Sequence, residues 1–213
     1  MELYWETIST EMRQVMGTFG SSPIGARFYL AGGTALALQL GHRRSFDLDF
    51  FSSTEDIPSL RNIFKETLLI YSPVLADTSW GNLVFLAAGV RVGFYGYGFP
   101  MVSSFTDAEG VNLASLEDIG LMKLDALLGR ASRKDFLDLF FICQHIPLWN
   151  LFDLSVKKFP GTRDFEAQVA KRLVYFEHAE LEEPPPLLQD IQWESVKTYF
   201  RKQVNALGKS WLV

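Results

Sequence analysis

Sulfur and imidazole are scarce in this chain: among 213 residues there is one cysteine, Cys143, and three histidines, His42, His145 and His178. A lone cysteine excludes an intrachain disulfide, and its apolar helical surroundings make it a buried, inert thiol. The histidines lie far apart without metal-ligand spacing, which argues against a zinc centre. No stretch is long and apolar enough to span a membrane. The acidic start does not read as a signal peptide, so the expectation is a cytoplasmic protein with no membrane association. Positive charge is not in excess either. A net charge of −5 gives the surface as a whole no attraction for nucleic acid. Arg43-Arg44, Arg130 with Arg133-Lys134, Lys157-Lys158 and Lys171-Arg172 leave room for a local basic patch, although each pair alone reads as solvated charge.

What is present is bulk for a core. Hydrophobic residues make up 48% and phenylalanine occurs 18 times, enough for one compact domain or two small ones. Strand and turn signals fill the first half. Residues 2–16 carry a helical pattern that Gly20 can stop. Arg27 to Ala31 reads as a short strand, with a turn at Gly32-Gly33. Thr34 is placed to cap a helix over Ala35 to Leu40 that ends at Gly41. Asp47 to Phe51 is a second strand, Pro58 opens a helix to about Leu69, and Asn82 to Tyr95 is a hairpin around Ala88-Gly89.

The second half reads as helical. Ser115 and Asp118 have the form of a capping box before a helix to Gly129. Further helices are expected from Lys134 to His145, which Pro147 ends, from Phe165 to His178, and from Glu194 to Leu207, which Gly208 stops. Pro184-Pro185-Pro186 is an extended connector. The change from strand-like to helical sequence near Ser103 to Gly110 places a domain boundary there, giving domains 1–108 and 109–213.

The chemistry concentrates in two short stretches. In an extended segment Asp47 and Asp49 share a face while Leu48 and Phe50 point into the core. Aspartate disfavours strands, and adjacent carboxylates repel unless a cation sits between them. Magnesium prefers such oxygen ligands. The Gly32-Gly33 turn and the helix behind it can offer backbone N–H groups to phosphate. Together they read as a site for a nucleoside triphosphate and a magnesium ion. Thr34 either caps its helix or adds a hydroxyl to that ligand. Ser45 shares the aspartate face, as a phosphate contact or as an ordinary loop serine. Lys123 and Arg130, seven residues apart, lie on one helical face, suited to triphosphate oxygens or simply solvated. Asp135 and Asp138 lie together in the first turns of the next helix, where Asp138 can orient Lys123 or Arg130 by an ion pair.

Phe28-x-Leu30-x-Gly32-Gly33-Thr34-Ala35-Leu36, Arg43-x-Ser45-x-Asp47-Leu48-Asp49, Glu117-Asp118-Ile119-x-x-Met122-Lys123-Leu124-x-Ala126 and Arg130-x-x-x-Lys134-Asp135-Phe136-x-Asp138-Leu139, in that order, resemble the nucleotidyltransferase AbiEii/AbiGii toxin family of abortive-infection toxin–antitoxin systems. The resemblance covers about Phe28 to Ile142. It implies an α+β fold of the polymerase-beta-like nucleotidyltransferase kind: a small mixed sheet with flanking helices, plus a helical C-terminal part. It further implies Mg2+-dependent transfer of a nucleotidyl group from an NTP to an acceptor hydroxyl, with tRNA or another RNA as acceptor and a cognate antitoxin as protein partner. By position, Asp47 and Asp49 would bind the metal and Lys123 would hold phosphate. Asp135 or Asp138 would be the family's late aspartate. Such enzymes commonly carry a third carboxylate on a neighbouring strand. Val90-Arg91-Val92-Gly93-Phe94-Tyr95 offers none, which leaves open a catalytically inactive module that binds nucleotide, RNA or protein. A further reading has Asp47 and Asp49 merely paired with Arg43 and Arg44.

Overall fold

The computed structural model describes residues 2–210. The chain forms two compact units, one ending at Ser115 and the next beginning at Leu116.

The first unit contains α1 (Thr10–Gly20), β1 (Tyr29–Leu30), α2 (Gly32–Leu40), β2 (Asp47–Ser52), α3 (Arg61–Thr67), β3 (Val74–Asp77), β4 (Leu83–Ala87), β5 (Val90–Gly96), β6 (Thr106–Ala108) and β7 (Val111–Leu113). The strands make one mixed sheet in the order β3-β4-β5-β2-β1-β7-β6. The expected hairpin is there, with Ala87 opposite Val90. β2 runs parallel to β5 and antiparallel to β1. Its alternation decides the sheet's two faces: Leu48, Phe50 and Ser52 are buried, while Asp47, Asp49 and Phe51 are partly exposed.

The buried face carries an aromatic core. Phe64 of α3 stacks on Phe94 of β5 with centroids 3.8 Å apart, and Phe19 of α1 meets Phe50 of β2 at 4.5 Å. All four rings are essentially dry, and each contributes on the order of 1.5–3 kcal/mol by leaving water. That burial fixes the register of β2, because a slip of one residue would drive the aspartates into the core.

Several local expectations shift. The first helix begins at Thr10 because Ser9 accepts a hydrogen bond from the Met12 N–H. The chain before it makes a 3-10 turn, Trp5–Thr7, and the Tyr4 N–H bonds the Leu38 carbonyl of α2. Strands β3, β6 and β7 went unread. The expected helix from Pro58 breaks into a 3-10 turn, Ile57–Leu60, followed by α3.

The second unit is helical: α4 (Leu116–Gly129), α5 (Arg133–Ile142), α6 (Leu148–Lys158), α7 (Phe165–Leu173), α8 (Glu177–Glu180) and α9 (Trp193–Ser210). Leu121, Leu124, Phe136, Leu139, Leu151, Val169 and Phe200 are buried in it. The sequence reading missed α6, whose Leu148, Leu151, Phe152 and Ser155 form its buried side. The expected helix from Phe165 to His178 is interrupted after Leu173, and α9 continues through Gly208 to Ser210.

Candidate active site

Asp47 and Asp49 stand on one face of β2, as the alternation predicts, with about 30% of the Asp49 side chain exposed. β1 connects this strand to the start of α2. The Ala31 N–H bonds the Asp49 carbonyl at 3.1 Å, and the chain then turns at Gly32 with φ +67°, a left-handed conformation that other residues adopt only with strain. A Cβ on Gly32 would lie 3.7 Å from Asp49 Oδ2, so the first residue of α2 faces the carboxylate. At Gly33 a Cβ would collide with the buried Arg43 guanidinium, which donates to the Arg44 carbonyl at 2.9 Å.

α2 starts at Gly32 rather than Ala35. Its N-cap is Ala31, and no side chain caps it. Thr34 is therefore not the cap. Its buried hydroxyl donates to the Asp47 carbonyl and lies 2.7 Å from the Ser45 hydroxyl. Since that single proton goes to the carbonyl, Ser45 is the donor to Thr34. Both hydroxyls thus clamp the entrance of β2, and Ser45 is 7% exposed. The leading N–H groups of α2, without a side-chain acceptor, are a place where an anion is favoured.

β5 supplies the other half of this face. In the parallel register Arg91 lies opposite Asp47, Gly93 opposite Asp49, and Tyr95 opposite Phe51. Arg91 Nη1 is 3.5 Å from Asp49 Oδ1, too long for a good hydrogen bond but close enough for an ion pair. Arg91 Nη2 donates to the Tyr95 hydroxyl at 3.2 Å. The Tyr95 ring folds back over Gly93, where a Cβ would collide with it, and it stacks on Phe51 at 5.1 Å. Burial first, and then the Asp49 charge, raise the Tyr95 phenol above its ordinary value. The carboxylate-free face of β5 was visible in the sequence; the linkage of Arg91 and Tyr95 to Asp49 was not.

The remaining expected site residues come together within the second unit. Lys123 Nζ lies 2.9 Å from Asp135 Oδ1 and 2.6 Å from Asp138 Oδ2, with 5% of its side chain exposed. Arg130 Nε donates to Asp135 Oδ2 at 2.7 Å and Nη2 to Oδ1 at 2.9 Å, and Ser132 adds a third donor. Burial alone would raise Asp135, but Lys123, Arg130 and Ser132 outweigh it and hold the carboxyl well below the usual carboxylate range. Two cations and two carboxylates cancel here. Arg130 still leaves 58% of its side chain exposed.

Other candidates take definite places. Lys158, read as half of a solvated pair, is fully buried 2.7 Å from Asp118, also fully buried; Asp118 thus pairs across from α4 to α6. Lys171 and Arg172 of α7 line a cavity of about 240 Å³ with Leu128 and Gln168. Burial pushes the Cys143 thiol up to about 12, as expected for an inert cysteine. Among the described residues no group of three or more His, Cys, Asp or Glu side chains is placed to hold a metal ion. No helix among the described residues is long and apolar enough to cross a membrane.

A glycine-led helix start lies beside two carboxylates on an adjoining strand of a mixed sheet, and the comparisons show that the fold is that of a nucleotidyltransferase. The profile described as nucleotidyl transferase AbiEii toxin, type IV TA system, matches residues 14–77. An uncharacterized protein of Aquifex aeolicus (strain VF5) is 34% identical over 204 residues, spanning 93% of this chain and 96% of that one. Residues 14–77 thus carry the AbiEii nucleotidyltransferase toxin profile. Two solved structures share the fold. JHP933 from Helicobacter pylori has a TM-score of 0.53 at 19% identity, covering 95% of this chain and 94% of its own. MenT4, a nucleotidyltransferase toxin from Mycobacterium tuberculosis H37Rv, has a TM-score of 0.51 at 14% identity, covering 91% and 81%. The fold is that of a nucleotidyltransferase.

Proposed function

We propose that this protein transfers a nucleoside monophosphate from an NTP to an acceptor hydroxyl on RNA, with tRNA as the leading acceptor. On this reading it works in the cytoplasm as the toxin of a pair with a cognate antitoxin protein. The observation that carries it is the position of Asp47 and Asp49 on the open face of β2, with Asp49 Oδ2 turned to Gly32 at the uncapped start of α2.

The donor set fits magnesium, which is commonly held by one or two carboxylates together with substrate phosphates and water. Asp47 and Asp49 would hold it. When bound, the ion draws charge from the triphosphate and aligns the reacting oxygens. The chain's own parts do the rest. The N–H groups of Gly32, Gly33 and Thr34 receive phosphate oxygens. The Thr34–Ser45 clamp fixes the backbone at Asp47. The acceptor oxygen bonds to the α-phosphorus, the bond to the β-phosphate bridging oxygen breaks, and pyrophosphate leaves. The hydroxyl proton passes to solvent, since β5 presents Arg91, Gly93 and Tyr95 and no carboxylate.

In the second unit Asp135 and Asp138 act as positioning residues. They hold Lys123 and Arg130 between α4 and α5. The cavity at Lys171 and Arg172 supports a polyanionic acceptor despite the net negative charge.

Incubation with total RNA and each labelled NTP tests the proposal. Wild type should label RNA, and Asp49→Ala should not while keeping its circular dichroism spectrum. The second reading, a nucleotide-binding module without turnover, is favoured by one observation, Arg91 on the β5 face. Tight NTP binding by wild type with no labelling of any RNA would establish that reading instead.

A further inference from the structure

We infer that Arg91 is a built-in counter-cation of the carboxylate pair, competing with a divalent ion for Asp49 in the ligand-free protein and moving to a phosphate of the nucleotide once the ion is bound. This rests on the assignment of Asp47 and Asp49 as metal ligands.

Three features support it. The first is placement. Arg91 projects from the neighbouring parallel strand at the position opposite Asp47, and its guanidinium reaches Asp49 at 3.5 Å. A like-charged pair on a strand needs a nearby cation, and here the protein carries one. The second is looseness. The contact is long and the Arg91 side chain is 45% exposed, so releasing it strands no buried charge. A closed, dry pair would block a metal; a loose, wet one yields to it.

The third is guidance. Tyr95 accepts from Arg91 Nη2 at 3.2 Å and is itself held by the Phe51 stack and the space above Gly93. This tether keeps the guanidinium on the aspartate face as it lets go of Asp49. A forked donor released beside a metal-bound triphosphate has phosphate oxygens as its natural acceptors. The residue that neutralises the empty site thereby becomes a ligand of the filled one.

The two halves predict opposite signs, which makes the test sharp. Mn2+ binding is measured by electron paramagnetic resonance, first without nucleotide. NTP binding is then measured with saturating Mn2+ and no acceptor, using whichever of the four NTPs binds wild type most tightly. Arg91→Gln should bind Mn2+ alone several-fold more tightly and the NTP about tenfold more weakly. Arg91→Lys should hold Mn2+ affinity near wild type and restore part of the NTP affinity. Tyr95→Phe keeps the ring over Gly93 and removes the tether, so it should shift both affinities as Arg91→Gln does, by less. If Arg91→Gln leaves either affinity unchanged, or shifts both in one direction, the inference is wrong. If Asp47→Asn and Asp49→Asn leave Mn2+ binding intact, the metal-site reading itself fails. If those two variants abolish binding while Arg91→Gln changes nothing, only the role of Arg91 is lost.

Discussion

The molecule contains two clusters of paired acids and bases, built to opposite specifications. In the first unit Asp47, Asp49 and Arg91 lie on a partly exposed sheet face, and the Arg91–Asp49 ion pair is 3.5 Å long. In the second, Lys123, Asp135 and Asp138 form a nearly dry network that the half-exposed Arg130 joins, with contacts of 2.6–2.9 Å. Desolvated charges repay their burial only when geometry is tight and lone pairs are filled. Exposed charges are screened, and a pair between them contributes little to stability. The closed network is therefore a fastening, and the open cluster is available to a ligand. The Asp118–Lys158 pair, buried at 2.7 Å, belongs with the fastening.

The contrast predicts that aspartates of the two clusters fail in different assays. Asp49→Ala should take nucleotidyl transfer to background, a loss beyond the roughly 10- to 100-fold typical of residues one shell removed from a metal. Its urea midpoint should stay close to wild type, since surface substitutions usually change stability by about 0.5 kcal/mol or less. Asp135→Ala should show the reverse emphasis. It leaves Lys123 buried with half its partners, and breaking such a pair costs about 3–5 kcal/mol. Urea unfolding of both variants, run beside the labelling assay, checks the division. An Asp135→Ala protein as stable as wild type would erase the distinction between the clusters.

The same contrast was only partly visible in the sequence. Asp47 and Asp49 were legible because strand alternation is local: Leu48 and Phe50 declare the buried face within six residues. The Gly32-Gly33 start and the Ala88-Gly89 hairpin were legible for the same reason. Strands β3, β6 and β7 were not, being three or four residues long, with β3 largely exposed and its register irregular. Charge pairing was legible between the successive helices α4 and α5, where Asp138 meets Lys123 as expected, and not over longer separations. A lysine beside another lysine reads as solvated, and only the fold brings Lys158 to Asp118, 40 positions earlier. Arg91 meets Asp49 across 42 positions, a distance that no spacing rule spans. The likeness to known nucleotidyltransferases covered both clusters without separating a ligand site from a fastening.

Acid sharpens the comparison, with a smaller effect. The folded value of Asp135 lies below the unfolded one near 4, so the unfolded chain takes up the proton first. The stabilisation from Asp135 is complete above that unfolded value and is lost as pH falls toward the folded one. Urea midpoints should therefore drop more steeply below about pH 4 in wild type than in Asp135→Asn, which has no carboxylate left to protonate. Equal slopes would mean that another group dominates acid unfolding.

Thr34→Val probes the boundary between the two kinds of construction, since the hydroxyl clamp under the open cluster is itself closed. Valine keeps the shape of threonine but leaves the Asp47 carbonyl and the Ser45 hydroxyl without this partner, in a place where Thr34 is 3% exposed. An unsatisfied buried polar group costs about 1–3 kcal/mol, so the unfolding free energy should fall by that much and the urea midpoint with it. Removing both hydroxyls is a different matter. In Thr34→Val with Ser45→Ala only the Asp47 carbonyl loses a donor, and part of the loss should return. A double variant no more stable than Thr34→Val alone would show that the two hydroxyls act separately, each on its own backbone surroundings, and that the entrance of β2 is held by packing rather than by the clamp.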